Sequence, residues 1–274
     1  MRVIIDGVPH DEHTASVSVL DWAVLRGFGV FEVVRSYGGA LFRLDSHLDR
    51  LEHSARALTI AVPDRDAIAA DMRRVAVAGG DGQVRLVLTG GGRDASVDAP
   101  PHTIVLWEPL PFVPDRMSVV PVVAPWHPAT DVGDFAGVKW TSYAPNMATT
   151  DRARRAGFDD AILVSTDGIV LEGPTFTCAW VSEGRVETPS LDLGILPSIT
   201  RDVVLECCSR LGIPVDEGRY PLARVTSADE VWALSTLKQV VPVERVGESR
   251  ITGGPIAARV AATFVTIVRE ETTR

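Results

Sequence analysis

Pro109, Pro111 and Pro114 fix three φ angles within a few residues, and neither a helix nor a central strand can run through such a segment. It reads as a stiff connector and marks a domain boundary. The boundary divides the 274-residue chain into a smaller N-terminal domain, 1–114, and a larger C-terminal domain, 115–274, with an irregular stretch at 125–137. Hydrophobic residues make up 46% of the chain, enough for a sizeable core. Strand and helix patterns mix without strict β-α-β alternation, so the expected fold class is α+β.

In the N-terminal domain, Val3–Ile5 reads as a strand ending in an Asp6-Gly7 turn. Phe28–Tyr37 alternates as a strand, with Phe31, Val33 and Arg35 on one face and Glu32 and Val34 on the other. After Gly38-Gly39, Ala40–Leu44 is the return strand. Asp45 or Ser46 then caps a helix through Leu48, Leu51, Ala55 and Leu58. A second helix follows at Asp64–Ala78, then strands at Val84–Leu88 and Thr103–Trp107. The C-terminal domain reads as strands Ser118–Val123, Ala161–Val164, Ile169–Leu171, Thr177–Val181 and Glu230–Leu234. Its helices are Asn146–Arg155, Thr200–Leu211 and one within Pro255–Glu271.

A formal net charge of -9 argues against nucleic acid or an anionic membrane as partner, since both need a basic face. The start of the chain lacks a signal-peptide layout, and no apolar run is long enough to span a bilayer, so a soluble cytoplasmic protein is expected. Cys178, Cys207 and Cys208 have no disulfide spacing and are expected reduced and buried. His47 and His53 share a helix but form no metal-ligand pair, and no metal site is expected. Gly27-Phe28-Gly29 lacks the third glycine of a dinucleotide fingerprint. The Gly90-Gly91-Gly92-Arg93 run lacks the Lys-Ser/Thr of a phosphate loop, and Ser142 and Ser165 lack the hydrolase elbow.

The chemistry-bearing signal is a scarcity. Of 27 basic residues only Lys139 and Lys238 are lysine. Arginine can solvate, pair and bind anions, but its delocalised guanidinium cannot form an imine. A surviving lysine is therefore a candidate for imine chemistry, or else a chance survivor of a composition bias. An enzyme using pyridoxal phosphate needs such a lysine, a carboxylate to keep the ring nitrogen protonated, and a phosphate cup of helix amides, hydroxyls and an arginine. Lys139 supplies the first. Glu172, at an apolar strand end, suits a cationic partner and supplies the second. The third can come from Ser198, Ile199 and Thr200 at a helix start, Ser235 and Thr236 after a strand, and Arg50. Singly, each of these reads better as something plain: Glu172 as a turn residue, Thr200 as an ordinary cap, Arg50 as a solvated helix residue. Their joint occurrence in this order is the signal.

With these residues in place the sequence resembles the class IV aminotransferase family, the fold-type IV pyridoxal-phosphate enzymes. The resemblance runs through Arg26 to Glu32, His47 to Leu51, Lys139 with Asn146, Asp167 to Gly173, Thr188-Pro189, Leu196 to Arg201, Ala228 to Glu230 and Pro242-Val243, and so covers nearly the whole chain. It implies a two-domain α+β fold with the cofactor in the cleft between domains, and a homodimer. It makes Lys139 the Schiff-base lysine and Glu172 the partner of the pyridine nitrogen. Arg50, Ile199, Thr200 and Thr236 hold the phosphate, and the Phe31, Val33, Arg35 face lines the substrate pocket. Phe28, Ser198 and Thr177 depart from the family's usual Asp, Gly and Asn.

Two reactions share such a site. One is transamination of a D-amino acid or (R)-amine with an α-keto acid, through a 1,3-proton shift by Lys139. The other is cleavage of 4-amino-4-deoxychorismate to 4-aminobenzoate and pyruvate. Phe31 to Tyr37 resembles D-amino-acid transaminases, while Tyr143 to Ala148 and Val170 to Thr175 resemble actinobacterial aminodeoxychorismate lyases. The reading favours the transaminase, and branched-chain L-amino acids rank third. Arg35 or Arg93 could take a substrate carboxylate in a bidentate pair, or form a structural ion pair.

Overall fold

The protein, seen in a computed structural model, is described over residues 2–92 and 99–273. The chain folds as two compact units. One comprises Met1–Pro111 with Val138–Tyr143 and Arg269–Arg274. The other comprises Phe112–Gly137 with Ala144–Val268.

In the first unit, β1 (Val3–Ile5), β2 (Val8–His10), β3 (Gly29–Tyr37), β4 (Ala40–Leu41), β5 (Gly82–Thr89) and β6 (Thr103–Glu108) form an antiparallel sheet in the order β2-β1-β6-β5-β3-β4. Its helices are α1 (Trp22–Arg26), α2 (Leu44–Ala57) and α3 (Arg65–Gly79). Strict alternation along β3 buries Val30, Glu32, Val34 and Ser36 and leaves Phe31, Val33, Arg35 and Tyr37 half-buried. Helix α2 carries Leu44, Leu48, Leu51 and Ala55 at helical spacing. These pack with Val30, Val34, Met72, Val75, Leu86 and Val105 in one core.

The helix start differs from the sequence reading. Leu44 is already helical, and the cap is Arg43 in the left-handed region (φ 55°) with no side-chain cap bond. Arg43 instead donates from Nε to Glu271 at 2.8 Å, so tertiary pairing rather than capping chemistry sets this end.

Residues 138–143 join this unit through the free edge of β3. Phe31 N–H donates to Lys139 O (3.1 Å), Thr141 N–H to Gly29 O (2.8 Å) and Lys139 N–H to Ser54 Oγ (3.0 Å). The division drawn at 114/115 from the prolines differs here, because strand-edge pairing carries this short segment into the N-terminal unit. Gly27 closes α1 at φ 64° and abuts the same segment, where Thr141 and Ser142 hydroxyls donate to its carbonyl.

The second unit holds β7 (Met117–Val123), β8 (Asp160–Val164), β9 (Thr177–Ser182), β10 (Arg185–Pro189), β11 (Val215–Gly218), β12 (Glu230–Ser235), β13 (Gln239–Val246) and β14 (Ser249–Arg250). Its helices are α4 (Ala144–Arg155), α5 (Ile199–Leu211), α6 (Leu222–Thr226) and α7 (Pro255–Thr272), whose last residues count with the first unit. The mixed sheet runs β11-β10-β9-β12-β13-β7-β8, with β14 on β13. β8 and β9 are buried at every position, as expected of strands covered on both faces. Trp180, Phe176, Val231 and Val243 lie at the centre of its core. Ile169–Leu171, expected as a strand, forms only isolated bridges, Val164 with Val170 and Ile169 with Pro221. Its backbone bonds are divided: Leu171 N–H donates to Leu163 O at 2.9 Å on β8, whereas Val170 N–H donates to Tyr220 O at 2.8 Å, so no continuous ladder forms with either neighbour. Among the described residues no helix is long and apolar enough to cross a membrane.

Candidate active site

Each unit carries half of the predicted constellation. In the first, the two faces of β3 have different tasks. On the buried face, Glu32 is fully inaccessible and therefore needs compensation. Helix α2 supplies it: Arg50 donates from Nε to Oε1 and from Nη2 to Oε2, both at 2.7 Å, and His47 Nδ1 lies 2.7 Å from Oε2. Burial alone would raise the Glu32 carboxyl. The Arg50 charge and hydrogen bonds, helped by His47, overcome it and hold the acid at about 2. Burial pushes His47 down from its usual value, against the pull of Glu32, so its ring is neutral at pH 7 and donates from Nδ1. Arg50, predicted to hold a phosphate, thus has two of its donors committed to Glu32.

The half-buried face of β3 meets Lys139. Its Nζ lies 4.5 Å from the Phe31 ring centre and 5.5 Å from that of Tyr143, and those rings pack edge to face at 5.2 Å. Such contacts stabilise an ammonium by roughly 0.5–2 kcal/mol. Val33 follows on the same face. Arg35 reaches Gly82 O at 2.8 Å, Ser36 O, Asp81 at 3.9 Å and the Tyr37 ring at 4.5 Å. A substrate carboxylate would have to compete with all of these. Arg93 lies outside the described residues.

In the second unit, Glu172 follows the Ile169–Leu171 segment, and its carbonyl accepts from Leu163 N–H at 2.7 Å. Its carboxylate is largely covered, accepts from Leu196 N–H at 3.3 Å and stands 3.6 Å from His127 Nε2. Among the described residues no arginine or lysine pairs with it. Burial first, then the Glu172 charge, pushes the neighbouring Cys178 thiol up to about 12.

Helix α5 begins as the sequence suggested, one residue earlier. Ser198 caps it by accepting from Arg201 N–H at 3.3 Å, so this hydroxyl serves the helix. The Ile199 and Thr200 amides and the Thr200 hydroxyl find no partner among the described residues, the arrangement that receives an anion at a helix start. Arg201, almost wholly buried, ties this turn to Pro189 O and Glu217. After β12, Ser235 Oγ accepts from Lys238 N–H at 3.2 Å, while the Thr236 hydroxyl has no described partner. Thr177 is buried at the start of β9. Asn146 donates to Pro174 O (2.9 Å) and accepts from Trp126 Nε1–H (3.2 Å), fixing the loop after Glu172.

Sequence reasoning gave no role to Glu32, His47 or Ser54, although alternation on β3 and the three- and four-residue steps on α2 already implied that they face inward. It missed His127 altogether, because an irregular stretch offers no periodicity to read.

Comparison with known proteins adds the following. The family described as amino-transferase class IV matches residues 29–246. A putative branched-chain-amino-acid aminotransferase of Methanocaldococcus jannaschii is 34% identical, covering 89% of this chain and 87% of its own. A bifunctional aminodeoxychorismate lyase / D-amino acid transaminase of Mycobacterium tuberculosis is 30% identical over 94% of this chain and 95% of its own. The structure of a hypothetical aminotransferase from M. tuberculosis, in its PLP-bound form, superposes with a TM-score of 0.89 at 26% identity, covering 98% of this chain and 99% of that one.

Proposed function

This chain belongs to the class IV aminotransferase family, whose cofactor is pyridoxal 5'-phosphate, and we propose from that premise that it is a transaminase. It moves an amino group between a D-amino acid or (R)-primary amine and an α-keto acid. The observation that carries the reading is Lys139, one of two lysines, main-chain-bonded at the β3 edge with its amine against two aromatic rings.

The residues fit the cofactor. Glu172, without a cationic partner among the described residues, would hold a proton on the ring nitrogen. The unpartnered Ile199 and Thr200 amides, with the Thr200 and Thr236 hydroxyls, would receive the phosphate. Ser198 orders that turn, Ser235 orders the turn after β12, and Arg50 adds positive charge. When bound, the cofactor supplies an electron-accepting ring that stabilises the charge left on a substrate carbon as its proton departs. Lys139 would hold the cofactor, and its free amine would take a proton from the substrate Cα and return it during the exchange. Phe31 and Tyr143 border the amine and limit water around it. Phe31, Val33 and Thr177 line the substrate side. With the Arg35 guanidinium already engaged, Arg93 is the better candidate for a substrate carboxylate.

One observation favours a second reading. The M. tuberculosis relative is named for both lyase and transaminase activity, which supports conversion of 4-amino-4-deoxychorismate to 4-aminobenzoate and pyruvate on the same scaffold. Branched-chain substrates rank third: the M. jannaschii relative carries that name, but Phe31 to Tyr37 resembles the D-amino-acid enzymes.

Offering the yellow holoenzyme a D-amino acid alone should bleach its visible band. An unbleached band, with pyruvate and aminobenzoate released from aminodeoxychorismate, selects the lyase. Borohydride should trap the cofactor on wild type and Lys238→Ala but not on Lys139→Ala. The same family reading carries a cytoplasmic homodimer, which light scattering and cell fractionation test.

A further inference from the structure

His127 lies in the irregular stretch before Lys139, where its main-chain N–H donates to Ala124 O at 3.0 Å and its ring Nδ1 accepts from Ala129 N–H at 3.1 Å. A ring nitrogen that accepts carries a lone pair, so the imidazole is neutral and its single proton sits on Nε2. That Nε2 faces Glu172 Oε1 at 3.6 Å, while Oε2 accepts from Leu196 N–H at 3.3 Å. Each carboxylate oxygen therefore meets one donor, and neither donor carries a charge. At 3.6 Å the His127 contact is one of dipole and charge rather than a full hydrogen bond. The side chains are only 11% and 16% exposed, so water screens the contact little. Cys178, which also feels the Glu172 charge, stays a neutral thiol.

The choice of histidine matters chemically. An arginine or lysine at 127 would neutralise Glu172 and compete with a protonated ring nitrogen for it. A neutral donor restricts the carboxylate's rotation and leaves its charge intact. We propose that His127 is a positioning residue of the cofactor site, aiming the Glu172 carboxylate at the ring nitrogen without pairing with its charge. The proposal rests on the assignment of Glu172 to the ring nitrogen made above.

Two substitutions separate this role from a purely local one. In His127→Asn the side-chain oxygen can take the place of Nδ1 and keep the Ala129 bond, but the donor toward Glu172 is lost. In His127→Gln the amide nitrogen can take the place of Nε2 and keep that donor, while the turn bond is lost. Titrating the cofactor-free chain with pyridoxal phosphate, His127→Asn should bind about 3- to 10-fold more weakly than wild type, and His127→Gln within about 2-fold. The pH midpoint of the bound cofactor's visible band should shift in His127→Asn alone. If His127→Gln is the impaired variant, or both are impaired alike, the ring only braces its turn and the proposal is overturned. A separate readout needs no variant: nitrogen-15 shifts of the His127 ring at neutral pH should show a protonated Nε2 and a bare Nδ1. The opposite tautomer or a doubly protonated ring also overturns it. Glu172→Gln distinguishes the failures. Unchanged cofactor affinity and spectrum there would sink the Glu172 assignment and this proposal with it, whereas a response to Glu172→Gln without one to His127→Asn sinks the His127 role alone.

Discussion

Replacing Glu32 by Gln tests whether the buried cluster on β3 is ionic. The Glu32 carboxyl sits at about 2 against an ordinary 4.5. That difference, at about 1.4 kcal/mol per unit, makes the ionised acid worth roughly 3 kcal/mol to the folded state. The sign follows from proton counting. A depressed carboxyl contributes fully above pH 4.5 and loses its contribution as pH falls toward 2, because the unfolded chain takes up the proton first. His47, also depressed, acts in the same direction and starts to cost stability as pH drops below its usual 6.5. Glu32→Gln leaves the Arg50 guanidinium buried opposite an amide, and removing one partner of a buried pair costs about 3–5 kcal/mol at neutral pH. Urea unfolding followed by tryptophan fluorescence at pH 7, 5, 4 and 3 should show a gap of about 3 kcal/mol between wild type and variant at pH 7. The gap should narrow below pH 4.5 as wild type loses what the variant never had. A gap below about 1 kcal/mol at pH 7, or one that holds constant from pH 5 to 3, would mean that Glu32 is buried neutral and the electrostatic account is wrong.

Gly27→Ala puts a Cβ at φ 64° and 2.5 Å from Ser142 Oγ; it should cost about 1–3 kcal/mol in unfolding experiments and, by displacing the Lys139 segment, lower the yield of borohydride trapping. Glu230→Ala removes the carboxylate that accepts from Ile256 and Ala257 N–H at the start of α7 (2.8 and 2.7 Å) and from Trp232 Nε1–H. It should lower stability by about 2–4 kcal/mol while leaving the visible spectrum of the remaining folded enzyme unchanged. Cys178, Cys207 and Cys208 have thiols pushed up to about 12, 12 and 11 by burial. A thiol-reactive dye should therefore label none of them in the native protein and all three in urea; fast native labelling at neutral pH would contradict their burial.

The sequence was most readable where one periodicity ran without interruption. Alternation over Phe28–Tyr37 assigned both faces of β3 correctly, and the α2 pattern through Leu48, Leu51 and Ala55 located the helix that covers it. Reading failed where tertiary contacts outweighed local preference. Asp45 and Ser46 are better caps than Arg43 by intrinsic chemistry, yet the Arg43–Glu271 pair set the helix start. β10, β11 and β13 were not read, since each is defined by neighbours distant in sequence: β11, for example, exists by parallel pairing of Val186–Pro189 with Val215–Gly218. The 138–143 segment has no strand pattern of its own and is ordered by the edge it joins. Within the site, residue types with a chemical signature, Lys139, Glu172 and Thr200, could be named in advance. Those whose role depends on a partner, such as Ser54 and His127, could not.

The contrast between the two lysines separates two criteria that are often merged. Burial pushes the Lys238 ammonium down from its ordinary value, a common mark of a reactive amine, and the side chain packs over Phe176. On that criterion alone Lys238 is a credible imine former. Reactivity toward a bound aldehyde, however, requires that the amine be held where the aldehyde arrives, and effective concentration can outweigh a favourable pKa by orders of magnitude. Lys139 meets that second requirement through its main chain. Its N–H is held by Ser54 Oγ, its carbonyl by Phe31 N–H, and Thr141 two residues on is bonded to Gly29, so the backbone beneath the side chain is fixed on both sides. Positional restraint therefore predicts trapping at 139, whereas basicity alone predicts trapping at 238. Peptide mapping of the reduced adduct decides between the two rules, and label recovered at 238 would refute the argument from restraint.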